Sequence, residues 1–185
     1  MGFGTKLDLC FAKIKTMKKI AFLLLGLVVS TLSMAQDHEP LIVKQLPSVK
    51  LVDMNGKAVN TAALGFKGPV VISFWATWCS PCKRELNTIH ELYPDWQEET
   101  GVNLVAVTID DEKTKAQVPV YVDGKGWEYL VLMDPNGDFK RAMGVNNVPH
   151  TFLVDQNGNI VYSHNNYAPG DEEKLYEEIK KLAKK

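Results

Sequence analysis

Two cysteines set three residues apart, Cys79 and Cys82, sit in the run FWATWCSPCK (Phe74 to Lys83), where an apolar, strand-like pattern breaks into C-x-x-C at the start of a helical one. A thiolate at a helix N-terminus faces unpaired backbone N–H groups and the positive end of the helix dipole, so its pKa falls and it becomes a nucleophile near neutral pH. The second cysteine lies one turn on and is placed to attack any mixed disulfide the first one forms. Such a pair opens and closes as a redox switch. C-x-x-C is also half of a zinc site. With no second C-x-x-C and no H-x-x-x-H to complete four ligands, neither a metal nor any other cofactor is expected.

The flanking elements must hold this pair in place. Upstream, Val70 to Trp75 is a near-continuous apolar run of the kind expected for a strand buried on both faces. Downstream, from Ser80 to about Glu99, Leu86, Ile89, Leu92 and Trp96 fall on one helical face opposite Lys83, Arg84 and Glu91, with Pro94 expected to kink or divide the helix and Gly101 to close it. Val102 to Ile109 reads as a second buried strand, Glu112 to Asp123 as a helix interrupted by Pro119, and Glu128 to Met133 as a weaker strand. Asn-Gly pairs at Asn55-Gly56 and Asn157-Gly158 mark two hairpins, and a short helical segment spans Phe139 to Met143. Asp171 to Lys185 carries acids early, lysines late and Leu175, Ile179 and Leu182 on one face, as a terminal helix should. Strands alternating with helices imply an α/β sandwich around a mixed sheet.

The chain has 185 residues, 45% of them apolar, enough for one well-buried domain. Met17-Lys18-Lys19, the apolar run Ile20 to Val29 and Ser33-Met34-Ala35 have the three-part form of a secretory signal peptide cut after Ala35. The apolar run is short for a membrane span of about 20 residues, and a membrane attachment is expected only if the signal stays uncleaved. Met17 is read as the initiator, which makes residues 1–16, with Cys10, an upstream extension. The reading therefore divides the chain into residues 1–35, extension and signal, and residues 41–185, the domain. Removing residues 1–35 leaves 16 basic against 21 acidic side chains, a formal charge of -5. No basic stripe remains to favour nucleic acid. Only Cys79 and Cys82 remain as cysteines, which argues for one functional pair rather than a disulfide scaffold.

WCSPCK, preceded by VVISFWAT and followed about seventy residues later by VNNVPHTFLVDQNG, resembles the thioredoxin superfamily, and within it the exported thiol-disulfide oxidoreductases of the TlpA/ResA type. The resemblance covers roughly Leu41 to Lys185. It implies a thioredoxin fold, a central mixed sheet flanked by helices, with an N-terminal β-hairpin added ahead of the core. Carried over residue by residue, it makes Cys79 the exposed attacking thiol and Cys82 the sheltered resolving one. It makes Pro149 a cis-proline beside them, with the Val148 backbone pairing with an extended substrate peptide. Ser73 stands where cytosolic thioredoxins carry a buried aspartate, which moves proton handling to Glu85, one turn beyond Cys82. Trp78 is implied as part of the apolar surface around the nucleophile, and Trp75 reads as plain core. His150 reads as a surface or hydrogen-bonded histidine, while Tyr162, His164 and Tyr167 receive no role.

The activity so implied is disulfide reduction in exported proteins, periplasmic or in the cell envelope, with protein thiols and disulfides as substrates. Apocytochromes are among the clients the family permits, and an upstream membrane thiol reductant is required. Ser80-Pro81 differs by one residue from the Gly-Pro of strongly reducing thioredoxins, which favours the reductase direction. Two other readings stand beside it: a copper metallochaperone using Cys79, Cys82 and His150, and a non-catalytic thioredoxin-like interaction module.

Overall fold

The structure, a computed structural model, describes residues 45–183. The signal peptide, the Met17 start and Cys10 lie outside the described residues. In chain order the elements are β1 (Lys50–Asp53), β2 (Ala58–Asn60), a 3-10 turn (Thr61–Ala63), β3 (Val70–Trp75), α1 (Ser80–Thr100), β4 (Asn103–Thr108), α2 (Gln117–Lys125), β5 (Leu130–Met133), α3 (Asp138–Ala142), β6 (His150–Val154), β7 (Ile160–Asn165) and α4 (Asp171–Ala183).

The strands form one seven-stranded mixed sheet in the order β2-β1-β5-β4-β3-β6-β7. Its centre, β5-β4-β3, is parallel. The hairpins β1-β2 and β6-β7 add antiparallel strands at the two sides. All six residues of β3 are buried, which is why its sequence is apolar almost throughout rather than alternating. Gly68, just before β3, lies so close to the end of α1 that a Cβ there would meet the Gly101 carbonyl oxygen at 2.1 Å. Only glycine fits that approach. Gly101 itself ends α1 in the left-handed region, φ 67°, with its N–H donated to the Gln97 carbonyl.

Two expectations about the helices need correcting. Pro94 does not divide α1, which runs unbroken for 21 residues. Proline removes one backbone donor, but Leu86, Ile89 and Trp96 on both sides of it are buried in one apolar cluster, and that packing keeps the helix whole. The segment starting at Glu112 is a set of turns, and α2 starts only at Gln117. There the Asp111 carboxylate takes the Lys113 and Thr114 N–H groups. Pro119 is then third in its helix, in the first turn, where a missing N–H costs no intrahelical bond.

Strand alternation assigns the two faces of the sheet. Val71 and Trp75, with Leu104, Ala106, Val131 and Leu153, pack against Leu86 and Ile89 of α1, Val118 and Val122 of α2, and Leu175 and Ile179 of α4. Ile72 and Phe74, with Val105, Val107, Leu132 and Phe152, pack against Phe139 of α3 and the following Met143 and Val145.

Candidate active site

Cys79 and Cys82 are joined as a disulfide at the N-terminus of α1. Cys79 is the N-cap: its backbone is extended, and its Sγ accepts the Cys82 N–H at 3.3 Å. The backbone donor that would favour a Cys79 thiolate is thus already aimed at the sulfur. Cys82 is fully buried and Cys79 is 5% exposed. Both are sheltered, and Cys79 is less accessible than the exposed thiol the resemblance implied. In the disulfide state its sulfur lies 3.8 Å from the Val148 carbonyl oxygen.

The loop that delivers Cys79 is braced from β4. Asp110, fully buried, accepts the Thr77 N–H at 2.8 Å, the Thr77 hydroxyl at 2.6 Å and the Thr108 hydroxyl at 2.6 Å. Three donors on one buried carboxylate fix the turn between β3 and α1. Trp78, between this anchor and the disulfide, is 60% exposed. Across the site the Val148-Pro149 peptide is cis. A groove of about 550 Å³ opens alongside, with Thr77 and Lys83 on one wall and Val120 and Tyr121 of α2 on the other.

Glu85 lies one turn beyond Cys82 and is 1% exposed. It meets a polar row that crosses three strands. Ser73 of β3 pairs with Thr151 of β6, and Thr151 with His164 of β7, so the three side chains lie side by side on the face under α1 and α4. Thr151 donates its hydroxyl to Glu85 Oε1 at 2.7 Å, Ser73 donates to Oε2 at 3.4 Å, and His164 Nε2 stands 3.4 Å from Oε1. Burial pushes the Glu85 carboxyl up from 4.5 to about 7, against the lowering effect of the two hydroxyls. A carboxyl group poised near neutrality one helical turn from Cys82 suits general acid–base work.

His150 lies on the opposite face of β6, stacked on Phe152 with ring centroids 4.3 Å apart, and burial pushes its imidazole down. Among the described residues no group of three or more His, Cys, Asp or Glu side chains is placed to hold a metal ion.

A disulfide capping a helix beside a cis-proline, on a mixed sheet with a parallel centre, can be set against known proteins. The Redoxin family model matches residues 43–179. This chain belongs to the Redoxin family. The thiol-disulfide oxidoreductase ResA of Bacillus thuringiensis is 34% identical over 118 residues, 64% of this chain and 66% of its own length. This chain therefore spans just under two thirds of that relative. The ResA of Halalkalibacterium halodurans is 30% identical over 141 residues, 76% of each chain. In the solved structures, a thioredoxin-like protein of Porphyromonas gingivalis, itself uncharacterised, superposes with a TM-score of 0.68 at 51% identity, covering 75% of this chain and 92% of that one. The thioredoxin fold with its added N-terminal hairpin follows from these matches and from the sheet order.

Within that Redoxin frame the structure sets the Cys79 sulfur against the Val148 carbonyl, with cis Pro149 next in the chain, leaves Trp78 exposed just before Cys79, and buries Glu85 one turn beyond Cys82. Asp110, Thr151 and His164 were not singled out from the sequence. Asp110 carried a weak signal, an acid directly after a buried strand. His164 carried none, because only the register of β3, β6 and β7 together places it beside Glu85.

Proposed function

We propose that the protein is a thiol-disulfide oxidoreductase that reduces disulfides in exported proteins through a Cys79–Cys82 dithiol/disulfide cycle. The observation that carries the reading is Cys79 Sγ as the N-cap of α1, with a backbone N–H directed at it and Cys82 one turn below. In the reduced enzyme the Cys79 thiolate attacks a target disulfide, forms a mixed disulfide and releases the first target thiolate. Cys82 then gives up its proton to Glu85, attacks Cys79 Sγ and expels the second target thiolate. Two electrons pass to the target and the enzyme is left with the Cys79–Cys82 disulfide. An upstream membrane thiol reductant returns the two electrons.

The Val148 carbonyl, 3.8 Å from the Cys79 sulfur, supports strand-like pairing with an extended substrate backbone. Trp78 and the groove wall at Val120, 74% exposed, supply apolar contact area for the residues that flank a target cysteine. Export rests on the signal-like segment before Ala35, and it places the protein in the periplasm or cell envelope, where disulfides persist. Apocytochrome thiols fit this chemistry as clients, as do other exported proteins with misplaced disulfides.

A redox equilibrium against glutathione, run with an insulin-reduction assay, tests the reading. The expected potential lies towards the reducing end of the roughly -270 to -120 mV span of related proteins, and Cys79→Ser should lose insulin reduction. A potential at the oxidising end would overturn the reductase assignment, and activity retained in Cys79→Ser would overturn the catalytic one.

A further inference from the structure

Glu85 poses a problem of proton traffic. It is 1% exposed, and a proton taken from Cys82 must be held in the core until the disulfide is reduced again. The Ser73 and Thr151 hydroxyls hold the carboxyl oxygens in place, but an alcohol neither keeps nor exports a proton near neutral pH. His164 is different. Its Nε2 faces Glu85 Oε1 at 3.4 Å, and both ring nitrogens are shut off from solvent although the side chain as a whole is 16% exposed. The Asn166 backbone is a further polar group acting on the ring. Among the described residues His164 is the one ion-pair partner of Glu85. Its ring is therefore a second proton site enclosed with the carboxyl group.

Resting on the oxidoreductase reading above, we propose that His164 is the positioning and proton-sharing partner of Glu85, holding the Cys82 proton jointly with that carboxyl group during the resolving step. The transfer balances. Cys82 Sγ–H protonates Glu85, the Glu85 hydroxyl shares that proton with His164 Nε2, and the proton returns to Cys82 Sγ when the disulfide is next reduced. Both groups end as they began, and no electron passes between them.

The surroundings set where the shared proton rests. Burial pushes His164 down, opposed by the Asp171 carboxylate at the start of α4, while burial pushes Glu85 up, helped by Asp171 and Glu172. Lys174 of α4 works against a charged imidazole. The opposite shifts leave the proton resting on Glu85, a neutral acid facing a neutral base. Tyr162 on β7 and Tyr129 just before β5, both pushed up by burial, stay protonated through this range and do not compete. His150, on the other face of β6, feels His164 only through its charge.

The test is the rate at which Cys82 resolves a mixed disulfide between Cys79 and a small aromatic thiol, followed from pH 5 to 9. His164→Gln should slow resolution about tenfold near pH 7, with partial recovery on adding imidazole, a loss smaller than that of a primary general base. The Glu85→Gln/His164→Gln double variant should be no slower than Glu85→Gln alone, because the two groups act in series. A His164→Gln profile that overlays the unsubstituted protein, or losses that multiply in the double variant, would overturn the proposal. Should His164→Gln fail to fold, NMR of the unsubstituted protein decides. The Glu85 carboxyl carbon and the His164 ring nitrogens should titrate as one coupled pair, and independent titrations would overturn the pairing. Failure of the unsubstituted protein to form any mixed disulfide would instead overturn the proposed function, and the NMR result would still judge the pair.

Discussion

The two faces of the central sheet are built from the same strands to opposite purposes. Under α3, Ile72, Phe74, Val105, Val107, Leu132 and Phe152 form a purely apolar layer, with Phe74 packed between Phe139 and Phe152 at centroid distances of 5.2 and 6.0 Å. Under α1 and α4, the same strands place Ser73, Thr151 and His164 in a row and lower Glu85 onto it. An apolar layer stabilises without condition. A buried carboxyl group held by two hydroxyls and an imidazole stabilises only while it keeps its proton. The difference separates the part of the core that serves the fold from the part on which the proposed proton transfer rests.

Substitution on the apolar face has the largest expected effect. Phe74→Ala should destabilise the domain by about 3–5 kcal/mol in urea unfolding, equally at pH 5 and pH 8, because transfer and cavity terms do not titrate. On the polar face the effect depends on pH. Glu85 ionises near 4.5 when unfolded and near 7 when folded, so its contribution is fully present below 4.5 and is lost as pH rises through 7. Glu85→Gln should therefore match the unsubstituted protein near pH 4 and be more stable by on the order of 3 kcal/mol at pH 8. Equal stabilities at pH 8 would show that the carboxyl group is not held protonated. Thr151→Val should have the smallest effect. It removes the 2.7 Å donor to Glu85, costs about 1 kcal/mol at pH 7 and moves the pH dependence to higher pH.

The legible parts of the sequence were those governed by local rules. Val70 to Trp75 reads as a doubly buried strand because every position is apolar or small, and it is β3 with those same limits. The Asn-Gly turns mark both hairpins because few other residue pairs tolerate that backbone. Where two rules compete, the pattern misleads. At Pro94 the apolar face of α1 outweighs one missing hydrogen bond, and at Glu112 the side chain of Asp111 captures the N–H groups that a helix would have used. The site divides in the same way. Cys79, Cys82 and Glu85 follow one another along a single helix, whereas His164 lies 79 positions beyond Glu85 and reaches it only through two successive antiparallel registers. Spacing along a chain carries no trace of such a pairing.

The account stands most directly on Glu85 receiving the proton that Cys82 must lose. The decisive measurement is the pH dependence of mixed-disulfide resolution in the unsubstituted protein and in Glu85→Gln. The rate in the unsubstituted protein should rise with a group ionising near 7, and Glu85→Gln should be slower throughout and lack that step. Coincident profiles would contradict it.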